Sequence, residues 1–127
     1  MSTGITTYLA NKWLDLVRGV AFTAPTGLYV KLHTGDPGPA GTANASVVTT
    51  RIQATFGAAS GNVISLASMA AQYAMTASET ISHISVWDAA TGANCLWTAA
   101  IGTPRAYQNG DQLNLTGATL TLTGIAA

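Results

Sequence analysis

The sequence predicts a mainly β protein: an antiparallel β-sandwich or small barrel with an amphipathic helix at its N-terminus. Three observations lead to this fold class. Apolar residues recur at helical spacing near the N-terminus, short alternating runs follow from residue 28 onward, and turn-forming segments separate these runs. Short strands at such intervals are typical of antiparallel sandwiches and barrels. We expect an N-terminal helix and arm over residues 1–22 and a β-domain over residues 23–127.

The predicted helix covers residues 6–18, TTYLANKWLDLVR. Thr6 or Thr7 can cap its first turn with a side-chain oxygen, and Gly19 can end it in a left-handed conformation. Its apolar positions form one stripe, which consists of Leu9, Trp13, Leu16, Val17 and Val20. This stripe either covers one end of the β-domain or docks on a neighbouring protein. In the second case we expect partner contacts from Leu9, Trp13, Leu16 and Val17.

The rest of the chain is predicted to form short strands joined by turns. Residues 28–33, LYVKLH, alternate apolar and polar side chains as a half-buried strand does. Residues 69–75, MAAQYAM, are compatible with a strand or with a short helix, and Asn109-Gly110 is a strong tight-turn dipeptide. The further predicted strands lie at about 47–56, 62–67, 70–76, 81–87, 95–101, 112–116 and 118–123.

Residues 34–46, TGDPGPAGTANAS, are too rich in Gly and Pro for regular structure. We expect an exposed, mobile loop that offers a contact surface. Asp36 and Pro37 fit the start and first corner of a turn. A cation or general-base role for His33 with Asp36 is the weaker alternative, because the pair lacks a third ligand or a positioned nucleophile. We therefore add Asp36 and Pro37 to the candidate partner contacts.

The composition is unusual for its low charge. Of the 127 residues 48% are hydrophobic and only 8% are charged, with five basic and five acidic side chains. A typical soluble domain has about 25% charged residues. Such a surface lacks the mixed-sign charge that keeps monomers apart. We interpret the chain as one whose outer faces are covered by partners, rather than as a merely Ala- and Thr-rich domain. We expect a homo-oligomer, specifically a trimer.

The same composition argues against several classes of partner. The formal net charge is zero and the basic residues are scattered singly, so no nucleic-acid or anionic-lipid footprint is present. One cysteine supplies neither a disulfide framework nor a metal quartet. The uncharged run over residues 52–78 is interrupted by Gly, Ser and Asn, so it is not a membrane span, and the N-terminus lacks the pattern of a secretory signal. We expect no cofactor.

Residues 81–97, ISHISVWDAATGANCLW, contain the side-chain types of a thiol or metal site, namely His83, Asp88 and Cys95. If a hairpin places Trp87 opposite Cys95, then His83 lies opposite Ala99. His83 and Cys95 are then four strand positions apart, about 13 Å at ~3.3 Å per residue. A general base must reach its nucleophile within about 3.2 Å. The hairpin geometry therefore predicts no thiol site.

Each of these residues also has a structural explanation. The Asp88 carboxylate can accept backbone N–H groups of the connecting loop, and Gly92 can adopt a positive φ. Cys95 and the two tryptophans are apolar fillers, and His83 is a hydrogen-bonded wall residue. Catalytic fingerprints such as G-x-S-x-G or a P-loop do not occur, and the five acids lie in separate segments. We expect no enzymatic activity.

Four stretches resemble a family of small bacteriophage virion proteins, tail-fibre-like or decoration-like, and the match spans nearly the whole chain in order. The pattern combines an amphipathic N-terminal helix, a strand like L-Y-V-x-L-x-T-x-D-P-G, a THxGxFDAxxGGNLL-like hairpin and a GD-x-(strand)-G-x-L-T-x-T ending. Ser85 and Trp87 stand here where that pattern has Gly and Phe, and Ala93 replaces the second Gly after Gly92. The matching stretches are TTYLANKWLDLVRGVAFTAPTGLYVKLHTGDPG, TFGAAS, ISHISVWDAATGANCLWTAAI and NGDQLNLTGATLTLT.

The resemblance implies a non-enzymatic structural protein of the virion, assembled in the host cytoplasm. The sequence favours decoration or cementing of the capsid exterior, with the major capsid protein or other virion proteins as partners. The alternative is a small tail or tail-fibre component that contacts other tail proteins or a host receptor. A small hydrolase is a third, weaker hypothesis, because no catalytic constellation is visible.

Overall fold

The computed structural model describes residues 3–121 and confirms the mainly β architecture with an N-terminal helix. One α-helix, α1 (Thr7–Val17), precedes eight strands within these residues. The strands are β1 (Leu28–His33), β2 (Ile52–Phe56), β3 (Val63–Met69), β4 (Tyr73–Ala74), β5 (Glu79–Trp87), β6 (Cys95–Tyr107), β7 (Gln112–Leu113) and β8 (Thr119–Thr121).

Six of the strands form one antiparallel sheet in the order β6-β5-β1-β2-β3-β8. Its edge strands β6 and β8 approach each other, so the sheet is nearly closed, between a barrel and a sandwich. The remaining strands β4 and β7 pair with each other and bring Tyr73 opposite Leu113. The Tyr73 hydroxyl donates a hydrogen bond of 2.5 Å to the carbonyl of Val30, which places this pair against β1, and burial raises the pKa of Tyr73.

The core is built from alternating positions of the central strands and from single residues of the other elements. Alternation puts every second side chain of a strand on one face, and in this protein that face is buried in the core. The helix contributes Leu9 to the same core, so the predicted units 1–22 and 23–127 share apolar contacts. The buried residues of this cluster include Leu9, Val30, Leu32, Tyr73, Met75, Ile81, Ile84, Val86, Leu96, Trp97, Leu113 and Leu120.

Helix α1 begins and ends where the sequence predicts. Thr6 is the N-cap, with its Oγ1 accepting the N–H of Leu9 at 3.4 Å, and Gly19 follows the helix at φ +98°. The residues before the helix extend the sheet, because the N–H of Thr6 donates to the Leu96 carbonyl at 2.9 Å. This pairing fixes the start of α1 at the outer edge of β6.

Two predicted strands differ from the structure for identifiable reasons. The strand expected over 47–56 begins only at Ile52, because side chains bind the preceding backbone groups. The Glu79 carboxylate accepts the N–H of Val47 at 3.0 Å, and the Ser46 hydroxyl accepts the N–H of Val48 at 2.9 Å. The strand expected over 95–101 instead runs to Tyr107, with residues 101–104 bulging from the ladder with β5.

The shorter predicted strands are confirmed in part. Only Tyr73–Ala74 of residues 70–76 and Gln112–Leu113 of residues 112–116 are in strand, and residues 69–75 contain no helix. The last predicted strand, 118–123, is present as Thr119–Thr121, and its final two residues lie outside the described part of the chain. Asn109 and Gly110 form a turn, as predicted.

Candidate functional site

The stretch that combines histidine, acid and cysteine forms the β5–β6 hairpin. Trp87 lies opposite Cys95, as the sequence predicts. His83 lies opposite Ala100 rather than Ala99, because Leu96 is an additional residue in a bulge next to Trp87. The bulge moves His83 and Cys95 no closer together, so the hairpin does not bring the imidazole to the thiol.

Cys95 has the surroundings of a structural cysteine. Its side chain is buried, and Sγ contacts the Trp97 carbonyl at 3.7 Å. Burial raises the pKa of the thiol to about 11, so it is protonated at neutral pH and is a poor nucleophile or metal ligand. Within residues 3–121 no group of three or more His, Cys, Asp or Glu side chains is placed to hold a metal ion.

The loop that joins β5 and β6 is closed by two charged side chains. Asp88 Oδ1 accepts the N–H of Asn94 at 2.9 Å, so the predicted backbone contact of this carboxylate spans the whole loop. Arg51 donates to the carbonyls of Ala89 and Gly92 at 3.0 and 2.8 Å. Its guanidinium lies 3.8 Å from the centroid of the Trp87 ring. The sequence offers no local signal for Arg51, because its partners are 36 or more residues away.

The same loop holds an alanine in a left-handed conformation. Ala93 has φ +66° at the position where the family pattern has glycine. An L-residue in this region destabilises the folded state by about 1–2 kcal/mol. Glycine removes this strain but gives the unfolded chain more freedom, which cancels about 0.4–1 kcal/mol of the gain. We expect Ala93→Gly to raise the free energy of unfolding by about 0.5–1 kcal/mol, measured by denaturant titration.

Ala90→Gly is the control for this prediction, because Ala90 lies in the same loop and has no positive φ. We expect it to lower stability slightly, since it only adds freedom to the unfolded chain. A loss of stability on Ala93→Gly equal to that of Ala90→Gly would contradict the strain assigned to Ala93.

A chain of buried hydrogen bonds connects β1 to the hairpin. His33 is fully buried, and its Nδ1 lies 2.8 Å from the Ala43 carbonyl while its Nε2 lies 2.7 Å from Ser85 Oγ. The Trp87 indole N–H donates to the same Ser85 oxygen at 2.7 Å. Burial lowers the pKa of His33. The sequence does not predict this chain, because Ser85 is 52 residues from His33.

The segment over residues 34–46, called the 34–46 loop, packs on this hairpin instead of standing free. Asp36 Oδ1 accepts the N–H of Gly38 at 2.8 Å, which confirms the turn role of Asp36. Pro37 is fully buried inside the chain and offers no side-chain surface to a partner, whereas Asp36 is half-buried. Gly41 is buried against Cys95 and Trp87. The expectation of a wholly exposed loop is therefore corrected.

Only the first half of the helix stripe is covered by the sheet. Leu9 is buried and Trp13 is partly buried against the core. Beyond them the second half of the stripe forms an exposed apolar face, defined by Leu16, Val17 and Val20, which are 53%, 87% and 42% exposed. Leu14, which lies outside the stripe, is 67% exposed. An apolar cleft of about 220 Å³ lies beside Trp13 and is otherwise lined by residues that include Ala59, Val63, Ile64 and Leu120.

The structure thus contains a β-scaffold and an exposed apolar face at the C-terminal end of α1. Among residues 3–121, no helix combines the length and the hydropathy that crossing a membrane requires. No curated protein matches the sequence. Residues 4–123 match the family model described as podophage GP4 fiber I protein gp80, which covers all but a few terminal residues. The chain therefore belongs to this family of tail-fibre-like phage virion structural proteins.

Proposed function

We propose that this protein is a non-enzymatic component of a phage tail fibre that attaches to other virion proteins through the exposed apolar face of α1. The observation that carries the proposal is the stripe itself, whose second half extends past the sheet. The family is a fibre family, which supports the fibre alternative better than the capsid decoration that the sequence favours.

The physical chemistry of this face favours a partner with an apolar surface. Burying one exposed Val or Leu side chain contributes about 1.5–3 kcal/mol. Two of the charges beside this face neutralise each other, because Arg18 Nε lies 2.8 Å from Asp15 Oδ1. The third, Lys12, lies with its Nζ 5.7 Å from the centroid of the Tyr8 ring. The partner therefore needs little charge complementarity. Other tail proteins or further copies of this chain meet this requirement, and a trimer stays a prediction. A host receptor would contact a different part of the same fibre.

The reactive side-chain types of β1 and of the β5–β6 hairpin are held in contacts that support a structural rather than a catalytic role. The Cys95 thiol is protonated at neutral pH, and both ring nitrogens of His33 are engaged in hydrogen bonds inside the protein. His83 contacts Ser82 Oγ through Nδ1 at 2.8 Å. These side chains stabilise the fold, which leaves the surface for protein–protein contacts.

The test replaces two residues of the exposed apolar face, Leu16→Lys and Val17→Lys, in the same chain. Both side chains are more than half exposed, so the circular dichroism spectrum and the unfolding midpoint should change little. Incorporation into purified phage particles should fall by at least about tenfold, because two charged amines would have to be desolvated at the contact. Quantitative immunoblotting of the particles measures the incorporation.

Val47→Lys is the matched control, because Val47 is 61% exposed and lies in the chain segment after the 34–46 loop. It introduces the same charge on an exposed apolar residue and should leave incorporation unchanged. Normal incorporation of the helix variant would refute attachment through α1. Antibody labelling in electron micrographs tests the location separately, and label spread over the head would overturn the fibre role in favour of decoration.

A further inference from the structure

The hydrogen-bond chain at His33 fixes the tautomer of the neutral ring. A carbonyl can only accept, so His33 Nδ1 carries a hydrogen and donates it to Ala43. In the neutral ring Nε2 then holds a lone pair and accepts the Ser85 hydroxyl, whose oxygen accepts the Trp87 indole N–H. The arrangement therefore fits a neutral imidazole with its proton on Nδ1.

Protonation of His33 breaks this arrangement at Nε2. The new Nε2–H would point at a serine oxygen that already accepts the Trp87 N–H and now loses the acceptor for its own hydrogen. It would also place a positive charge in a fully buried position. The charged state becomes favourable only where water can reach the ring.

None of the ionisable groups around His33 offsets that charge. Lys31 on the same strand and His83, which is paired opposite on β5, both act against the imidazolium. The acid of the 34–46 loop, Asp36, accepts the N–H of Gly38. Glu79 on β5 accepts the hydroxyl of Ser46 at 2.7 Å. Both carboxylates are held by groups of the loop region, and neither is among the charges that act on His33. The backbone contacts with Ala43 and Asn44 favour the charged ring, but burial outweighs them and lowers its pKa.

The 34–46 loop is what separates His33, Trp87 and Cys95 from solvent on this side. Its Ala43 carbonyl binds His33 directly. Its Gly41 backbone lies so close to the hairpin that an added Cβ would be 2.4 Å from Cys95 Sγ and 3.3 Å from Trp87 Cζ2. A movement of this loop away from the hairpin would hydrate His33 and would uncover the cysteine in the same step.

We propose that the 34–46 loop is an acid-sensitive cover, which opens away from the β5–β6 hairpin when His33 takes up a proton. Opening breaks the backbone contacts of residues 44–46 with β1 and Thr34, among them the bridge between His33 and Ala45, but leaves the strands of the six-stranded sheet paired. It exposes Cys95 and Trp87. This pH-dependent opening is separate from attachment through α1 and does not depend on it. In a virion protein it would make the surface formed by this loop different at acid and at neutral pH.

The sign of the pH dependence follows from the lowered pKa of His33. Because the closed form binds a proton less readily than the open form, its stability relative to the open form is greatest above the ordinary histidine pKa of 6.5. This stability is lost as the pH falls below that value toward the lowered pKa. Over this interval the population of open loop should rise by about tenfold per pH unit.

The test uses Cys95 as a reporter, because it is the one cysteine of the sequence. Its modification by a dipyridyl disulfide, which reacts with thiols at acid pH, is followed from about pH 8 to about pH 4.5. We expect the modification rate to rise below about pH 6.5 with an unchanged far-ultraviolet circular dichroism spectrum. Because the reactivity of the reagent itself changes with pH, each rate is divided by that of the same protein unfolded in urea at that pH, and a ratio that stays constant or falls throughout would overturn the proposal.

Two variants identify the group that responds. His33→Asn can still donate to the Ala43 carbonyl and cannot take up a proton in this range, so its rate should lack the rise at acid pH. His83→Asn removes the other histidine, which lies opposite in the same register, and should keep the rise. A rise that persists in His33→Asn, or that disappears in His83→Asn, would overturn the assignment to His33.

Nitrogen NMR of the unaltered protein tests the proposal without any substitution, should His33→Asn fail to fold. At neutral pH the His33 ring should show the Nδ1–H tautomer. On acidification, charging of this ring should coincide with shift changes in the amides of residues 36–45. Charging of His33 while those amides stay constant would overturn the coupling to the loop.

Discussion

Replacing Gly41 with alanine is expected to lower the free energy of unfolding by about 3 kcal/mol, measured by denaturant titration. Two separate effects combine at this residue. Gly41 has φ +72°, where an L-residue costs about 1–2 kcal/mol. The added Cβ would also lie 2.4 Å from Cys95 Sγ and 3.0 Å from Cys95 Cβ, which forces the 34–46 loop off the hairpin. Such overpacking costs about 1–3 kcal/mol.

Gly92→Ala separates the two effects. Gly92 has φ +60° and no atom within 4 Å of an added Cβ, so only the backbone cost of about 1 kcal/mol should appear. Cys95→Ala combined with Gly41→Ala should recover part of the loss, because it removes the Sγ atom. Equal losses for Gly41→Ala and Gly92→Ala would show that the 34–46 loop does not pack on Cys95.

Ser85→Ala is expected to lower the free energy of unfolding by about 2–4 kcal/mol, because it leaves two buried groups without partners. The Trp87 indole N–H loses its acceptor and His33 Nε2 loses its donor. Each orphaned buried group costs about 1–3 kcal/mol, far more than the net contribution of one ordinary hydrogen bond. Denaturant titration at neutral pH, where His33 is uncharged, gives the loss.

Ser82→Ala is the matched control, because Ser82 also contacts a histidine from β5 but is only half-buried. Water can replace its hydroxyl, so the loss should stay below about 1 kcal/mol. In a Trp87→Phe background no indole N–H is left unpaired, so Ser85→Ala should cost less there. Additive losses in that double variant would contradict the shared hydrogen bond.

The Ser85–Trp87 hydrogen bond gives a physical reason for two departures from the family pattern. Phenylalanine at position 87 has no N–H group and needs no acceptor, so glycine at position 85 suffices. Tryptophan introduces a buried donor, and Ser85 satisfies it at 2.7 Å. The two substitutions therefore belong together, and the bond also fixes the orientation of His33. Trp97 shows the opposite case, because its buried Nε1 has no hydrogen-bond partner in the structure.

The two proposals, attachment through α1 and acid-sensitive opening of the 34–46 loop, concern different parts of the molecule. The exposed apolar face lies on α1, whereas the 34–46 loop packs on the β5–β6 hairpin. Substitutions at Leu16 and Val17 should therefore leave the modification of Cys95 unchanged, and substitution of His33 should leave incorporation at neutral pH unchanged. The fibre role and the acid-sensitive cover can fail independently of each other.

The sequence by itself determines those features that depend on short spacing. The 3.6-residue period and the Thr6 cap locate α1, and strict alternation locates β1 at Leu28–His33 without error. Alternation also places Trp87 opposite Cys95, because the connecting loop is bounded by clear turn residues. The same local patterns, read as a whole, indicate the family of virion proteins to which the chain belongs.

Only the tertiary structure decides which groups meet across the sheet. Residues 47–51 have a strand-like sequence, but the Glu79 carboxylate and the Ser46 hydroxyl take their N–H groups. Helical periodicity defines a stripe from Leu9 to Val20 but not where the sheet beneath it ends, so it cannot distinguish buried Leu9 from exposed Val17. Ser85, which bonds to His33, and Cys95, which packs on Gly41, lie some fifty residues further along the chain, and such pairings arise from packing that no local spacing encodes.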